Sequence, residues 1–136
     1  MKKFLLVIFA ALLAFSTSSC VEEHSDVLVD VSFTESANGD VNIMTYLTAQ
    51  GNVRAVFNRE LDALGENMSN THVVRDGKVN KVTRQAKNLA EKAFAKIDPS
   101  DLKTLAASDK CLFEVTVYSV ADIDNKVVAW SHDFTK

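Results

Sequence analysis

Few side chains in this chain are of the kinds that do chemistry, and their spacing matches no catalytic or metal-binding motif. The candidates are three histidines and two cysteines: His24, His72, His132, Cys20 and Cys111. Asp133 follows His132, but neighbouring residues of a strand point to opposite faces, so the two do not form a catalytic pair there. No Cys-x-x-Cys, His-x-x-x-His or His-Glu-x-x-His spacing occurs. We therefore expect no catalytic residue, no metal site and no cofactor.

One acidic run offers oxygen atoms of the type that calcium prefers. Asp122, Asp124 and Asn125 lie within four residues of one another, and carboxylate and amide oxygens are typical calcium ligands. The run lacks the glycine and the distant glutamate of an EF-hand loop. Because Asp and Asn also favour tight turns, a turn explains this run better than a cation site.

The first 19 residues have the features of an export signal. Lys2 and Lys3 precede an uncharged apolar run over residues 4–15, and small residues follow over 16–19. The apolar run is shorter than the roughly 20 residues that a membrane-spanning helix needs. The pattern therefore predicts a cleaved signal peptide over residues 1–19 rather than a retained transmembrane anchor.

The end of this leader, Thr17-Ser18-Ser19-Cys20, resembles the lipobox of bacterial lipoproteins, in the serine-rich form common in the Bacteroidota. The resemblance implies that the Cys20 thiol receives a diacylglycerol, that cleavage precedes it, and that its new amino group is acylated, for example with palmitate. Thr17 departs from the family, which usually has leucine there. The alternative is an ordinary secretory signal that happens to contain a cysteine. Two or three acyl chains form a stable membrane anchor.

A short acidic tether follows, over residues 20–26. Glu22 and Glu23 resemble the acidic signal that sends Bacteroidota lipoproteins to the cell surface. We therefore expect an exported outer-membrane lipoprotein, either displayed on the surface or facing the periplasm. Residues 27–136 have the length of one small domain with its own core.

The composition of the exported chain limits its partners. Removing Lys2 and Lys3 with the leader takes the formal net charge from −3 to −5. A nucleic-acid-binding protein needs a dominant basic surface, so we expect no nucleic-acid partner. An acylated Cys20 would leave no second cysteine to form an intrachain disulfide, so the domain must depend on packing.

The first half of the domain is predicted to contain a β-hairpin and then a helix. Apolar residues alternate over 27–33 and again over 41–47, and Asn38-Gly39 between them suits a tight hairpin turn. From Val53 the spacing becomes helical and continues to Gly65, with Asn52 as its N-cap. A competing interpretation continues the sheet over 53–57.

The longest predicted helix covers about residues 77–97, and its basic residues fall outside the apolar arc. The segment from Arg75 to Lys96 has seven basic and two acidic residues in an otherwise acidic chain. We define a basic ridge as six of them: Lys78, Lys81, Arg84, Lys87, Lys92 and Lys96. The ridge suggests an anion site for a phosphate-bearing lipid, an acidic glycan or an acidic partner. The alternative is an ordinary solvated helix face.

The chain is predicted to close with a short helix and a second hairpin. Asp98 and Pro99 suit the cap and first turn of the helix. Strands follow over 113–118 and 127–134, with Cys111 as a small buried residue. The whole predicts an α+β fold of order β-β-α-α-β-β, in which helices cover one face of a four-stranded antiparallel sheet. The open face would present Met44, Tyr46 and Tyr118, or the residues that alternate with them.

These features favour a lipid-anchored, non-enzymatic binding or accessory protein of the envelope, held in the membrane through Cys20. Its partner would be a protein or a glycan, for example in nutrient capture at the surface. A periplasmic immunity or inhibitor protein, directed against a toxin or hydrolase, is the first alternative. A small hydrolase using His132 or His72 is the second and is less favoured.

Overall fold

The elements lie in the order β-α-β-β-α-α-β-β in a computed structural model, which describes residues 25–36 and 42–136. Within these ranges there are five strands and three helices. The strands are β1 (Ser25–Ser36), β2 (Glu66–Met68), β3 (Thr71–Gly77), β4 (Lys110–Ser119) and β5 (Asp122–Asp133). The helices are α1 (Ile43–Leu61), α2 (Val79–Ala95) and α3 (Pro99–Ala106).

The strands form one antiparallel sheet in the order β2-β3-β1-β4-β5. The first strand of the chain is therefore the central one, with β3 on one edge and β4 on the other. Two short hairpins, β2–β3 and β4–β5, extend the sheet outward from it. The helices pack on one face only, so the domain has two layers and an open sheet face.

The core lies between the helices and one face of β1 and β4. Val27, Val29 and Phe113 are fully buried there, and Phe57 of α1 lies with its ring centroid 4.5 Å from that of Phe113. Trp130 of β5 packs against the same cluster. The predicted alternation of β1 is confirmed, because burial follows every second residue as the period of a strand requires.

The predicted second strand over 41–47 is wrong, because residues from Ile43 onward form α1. The alternation there did not reflect a buried face: Ile43 and Leu47 are exposed, whereas Tyr46 is buried. The residues that α1 buries follow helical spacing throughout: Tyr46, Ala49, Gln50, Val53, Phe57 and Leu61. The cap is Asn42, which accepts hydrogen bonds from the backbone N–H groups of residues 44 and 45, and not Asn52.

The sheet has five strands and not four: one strand over 41–47 is lost to α1, and β2 and β3 form over 66–77, where no strand was predicted. Gly65 precedes β2, and a Cβ atom there would lie 2.1 Å from the carbonyl oxygen of Val73. Only glycine allows the two backbone segments to approach this closely, so Gly65 lets the chain pass close to β3 as it enters β2. The Asn38-Gly39 turn of the predicted first hairpin lies outside the described residues.

The second half agrees closely with the prediction. The helix predicted over 77–97 is α2, and Asp98 caps α3 by accepting from the backbone N–H of Ser100 at 2.8 Å, with Pro99 in the first turn. β4 and β5 form the predicted hairpin, although the turn between them is limited to Val120 and Ala121. Asp122, Asp124 and Asn125 therefore lie in the first residues of β5, and the turn predicted for them is wrong.

We predict that Phe113→Ala lowers the free energy of unfolding by about 3–5 kcal/mol. Phe113 is fully buried and contacts the rings of Phe33, Phe57 and Trp130, so truncation leaves a cavity that the sheet and α1 cannot close. Urea unfolding of the purified protein measures the loss. The control is Ile123→Ala, at a side chain that is 57% exposed, which should change stability by less than about 0.5 kcal/mol.

Candidate functional site

The open face of the sheet carries a polar cluster at its centre. Asp30 of β1 accepts a hydrogen bond from Thr71 Oγ1 on β3 at 2.6 Å and from the Tyr118 hydroxyl on β4 at 2.8 Å. The three strands bring these side chains together because Asp30 is paired with Thr71 on one side and with Thr116 on the other. Cross-strand neighbours share a face, so the three meet on the helix-free side.

This cluster holds Tyr118 as a neutral hydroxyl. Burial, the hydrogen bond to the Asp30 carboxylate and the repulsion between the two negative charges together raise the pKa of Tyr118 to about 12, and burial contributes most. The Lys126 ammonium lies 4.8 Å from the centre of the Tyr118 ring. The arrangement therefore fixes a hydrogen-bond donor in place and does not create a phenolate nucleophile.

A notch lies beside this cluster, where β1 continues past the end of β3. β3 pairs with β1 only as far as Asp30, whereas β4 pairs with β1 from Val27 to Ser36. Beyond Asp30, β1 thus has a neighbouring strand on one edge only among the described residues. The resulting space has a volume of about 400 Å³. Its lining consists of Asp30, Val31, Ser32, Phe33, Arg54, Ser69, Asn70 and Thr71.

Arg54 forms the helical wall of the notch, and it belongs to a polar stripe along one side of α1 and its C-cap residue Asp62. Arg54, Asn58 and Asp62 recur at four-residue spacing, so they lie on one side of the helix. The Arg54 guanidinium lies over the Phe33 ring, 5.0 Å from its centre. Asn58 Nδ2 donates to Asn70 Oδ1 at 2.8 Å, and Asp62 Oδ1 lies 2.8 Å from His72 Nε2. These two contacts hold the β2–β3 hairpin against α1.

The end of the notch is the β2–β3 turn. Ser69 and Asn70 both have positive φ, 54° and 71°. Two successive residues with positive φ form the tight turn that suits the twist of a hairpin. Asparagine tolerates this conformation, but serine is strained in it. The hydrogen bonds of Asn70 to Asn58 and Asn67 offset this strain and hold the turn in place.

The structure divides the predicted basic ridge. Lys81, Arg84, Lys87 and Lys92 are exposed on α2, and the helical period spreads them over a wide outer arc. Lys96 forms an ion pair with Glu60 of α1, so it faces the neighbouring helix. Lys78 is the residue before the first turn of α2. The four outer cations form a convex, solvated helix face.

Two of the three histidines and one of the two cysteines lie within the described residues. His72 is fully buried on the core face of β3. His132 packs among aromatic rings, and its ring centroid lies 4.7 Å from that of Phe94. Cys111 is buried, as predicted. His24 and Cys20 lie outside the described residues. Within the described ranges no three His, Cys, Asp or Glu side chains are grouped so as to hold a metal ion, and no helix there is long and apolar enough to cross a membrane.

Comparison with known protein families, with curated proteins and with solved structures gives no match to this chain.

Sequence reasoning did not find the notch. The helical spacing from Val53 places Arg54 near the start of a predicted helix, and the alternation over 27–33 places Asp30 on the polar face of a strand, but neither pattern indicates a binding site. The four-residue spacing of Arg54, Asn58 and Asp62 indicates one polar side of a helix, but it does not indicate what that side contacts. The predicted four-stranded sheet lacked the pairing of β1 with β3. That pairing places the β2–β3 hairpin beside α1, where Asn58 and Asp62 contact it.

We predict that Tyr118 titrates near pH 12 and that Asp30→Asn lowers this value without restoring the usual value of about 10. The substitution removes the charge of Asp30, while the burial of the phenol remains. Ultraviolet absorbance of the phenolate follows the titration, and a Tyr46→Phe background leaves Tyr118 as the only tyrosine. A Tyr118 pKa that does not respond to Asp30→Asn would contradict the assigned contact.

The same shift predicts how stability changes at high pH. The pKa of Tyr118 is higher in the folded chain than in the unfolded one, so the folded state holds this proton more tightly. Its stabilising effect is complete below about pH 10 and is lost as the pH rises through about 12. Urea unfolding at a series of alkaline pH values should show a smaller loss for Tyr118→Phe than for the wild type.

Proposed function

We propose that this protein is a lipid-anchored, non-enzymatic binding protein of the bacterial outer envelope, attached to the outer membrane through Cys20. Support comes from the order of the leader, in which basic residues, an apolar run and small residues precede Cys20. The lipobox-like end, Thr17-Ser18-Ser19-Cys20, is the feature that distinguishes an acylated lipoprotein from a secreted one. β1 begins at Ser25, only five residues after Cys20, so such an anchor would hold the domain close to the membrane surface.

The observation that carries the binding role is the notch at the edge of β1. It has about 400 Å³ of space, which lies within the usual range for a ligand site. It combines an arginine, an aromatic ring, unpaired strand edge and several hydroxyl and amide groups in one concave place. Strands of the core and the capped helix α1 form its walls, so the geometry is held in advance of binding.

The notch is favoured over the basic ridge as the binding surface. The outer lysines and arginine of α2 project from a convex face, where long solvated side chains lose entropy when they are ordered and where salt screens their charge. Arg54 instead lies half-buried against Phe33. A cation that is already positioned loses less freedom on binding.

We predict that Cys20→Ala releases the protein from the membrane fraction. The substitution removes the thiol that would carry the lipid, and the described residues supply no membrane-spanning helix to replace it. Fractionation of cells, together with metabolic labelling by a palmitate analogue, measures the effect. Cys111→Ala is the matched control because Cys111 is buried in the domain, and this variant should remain labelled and membrane-bound. A Cys20→Ala protein that stays with the membrane would contradict the proposal.

The same cells distinguish the two orientations of the anchored domain. Protease added before lysis removes an epitope tag from a surface-displayed domain and leaves a periplasm-facing one intact. Surface display would direct the search for a partner to captured material outside the cell. Protection until lysis would direct it to periplasmic proteins.

A further inference from the structure

We propose that the notch binds an extended peptide segment of a partner protein, which pairs with the free edge of β1 and places an acidic side chain on Arg54. The ligand class is thus a short acidic strand. This inference rests on the proposed binding function and adds the chemistry of the partner and the way in which it is held.

The first step concerns where the backbone groups of β1 point. In a strand, the N–H and C=O groups of alternate residues point to opposite edges. The Asp26 carbonyl oxygen accepts a hydrogen bond from Val120 N at 3.0 Å, so the backbone N–H and C=O groups of even-numbered residues of β1 point toward β4. The backbone groups of the odd-numbered residues therefore point toward the other edge, where β3 pairs with β1 only up to Asp30. Val31 and Phe33 direct their backbone groups into the notch, and both line it.

These groups form a short stretch of open strand edge. Among the described residues, no strand pairs with Val31 or Phe33 on this side. Unpaired strand edges attract further strands, and proteins use this property to bind extended peptides through main-chain hydrogen bonds. The position continues the line of β3, so a bound peptide would lengthen the sheet in the place that β3 leaves empty.

The second step concerns charge. Arg54 has no carboxylate within ion-pair distance among the described residues. Asp30, which also lines the notch, already accepts hydrogen bonds at both carboxylate oxygens, from Thr71 and Tyr118. The Arg54 guanidinium therefore keeps donors for an incoming group, and a carboxylate matches its planar fork in a bidentate pair. Charge complementarity thus selects an acidic peptide.

The third step concerns length. The β2–β3 turn closes one end of the notch, and its residues Ser69 and Asn70 belong to the lining. The open edge runs from Val31 toward the end of β1. At about 3.3 Å per residue, a peptide of about four residues covers the stretch from Val31 to Thr34. Main-chain pairing would then set the affinity, and the acidic residue over Arg54 would set the register.

The test uses the full-length protein in detergent micelles and a synthetic peptide. The probe is an acetylated, amidated pentapeptide of alternating threonine and valine with a central glutamate. Adding it should slow hydrogen exchange at the amides of Val31 and Phe33, as measured by NMR, because these N–H groups would become hydrogen-bonded. A peptide with N-methylated amides should give no protection, since it cannot pair with the strand edge.

The role of Arg54 is tested by matched substitutions on both partners. Arg54→Gln should weaken peptide binding by at least about tenfold, as expected for the loss of a charged hydrogen bond. Arg59→Gln removes a cation of the same helix that does not line the notch and should leave the affinity unchanged. Glutamine in place of the peptide's glutamate should weaken binding to the wild type as Arg54→Gln does, and should have no further effect on that variant.

Three outcomes would overturn the inference. Protection at other amides would place the peptide elsewhere. Protection of Val31 and Phe33 that rises with protein concentration in the absence of peptide would show that a second copy fills the notch. Equal binding of the glutamate and glutamine peptides would remove the role of Arg54. None of these outcomes bears on the Cys20 fractionation, so failure of the notch and failure of the anchored-protein proposal are separate results.

Discussion

The pairing of β1 on both of its edges is the constraint on which the rest of the structure depends. β1 is the first strand of the chain and the centre of the sheet, and its inner residues Val27 and Val29 are fully buried. Both hairpins are built outward from it, and the helices cover the face that these valines form. Because β3 is shorter than β4, the same strand that organises the core also has, among residues 25–36 and 42–136, an open edge beyond Asp30.

The polar stripe of α1 links this core to the notch. Arg54, Asn58 and Asp62 contact, in turn, the ring of Phe33, the β2–β3 turn and the buried His72. Within the part of the chain that the structure describes, Asn58 Oδ1 and His72 Nδ1 are buried without hydrogen-bond partners, which costs free energy. The hydrophobic packing of α1 and the hairpin must offset that cost. The result is that the wall, the end and the charge of the notch are held by one helix.

An anchored domain with an open strand edge has a clear physical logic. A lipid at Cys20 would confine the domain to the membrane surface, which raises its effective concentration near other envelope proteins. Main-chain pairing needs little sequence in the partner beyond an extended segment, and Arg54 adds selection for an acidic residue. The basic face of α2 is convex and solvated. It concentrates positive charge on one side of an otherwise acidic chain and does not form a second pocket.

The sequence by itself determined the elements whose patterns have one interpretation. The alternation of β1 and of β4, the helical spacing of α2 and the Asp98-Pro99 start of α3 are local signals, and each is confirmed. The strand predicted over 41–47 was wrong because alternating apolar residues also occur on a helix whose ends are exposed. Only the burial of Tyr46 against Ser108 and the core distinguishes the helix from the strand. The notch could not be predicted at all. It arises from a difference in length between two neighbours of β1, and which strands are neighbours is decided by long-range pairing in the tertiary structure.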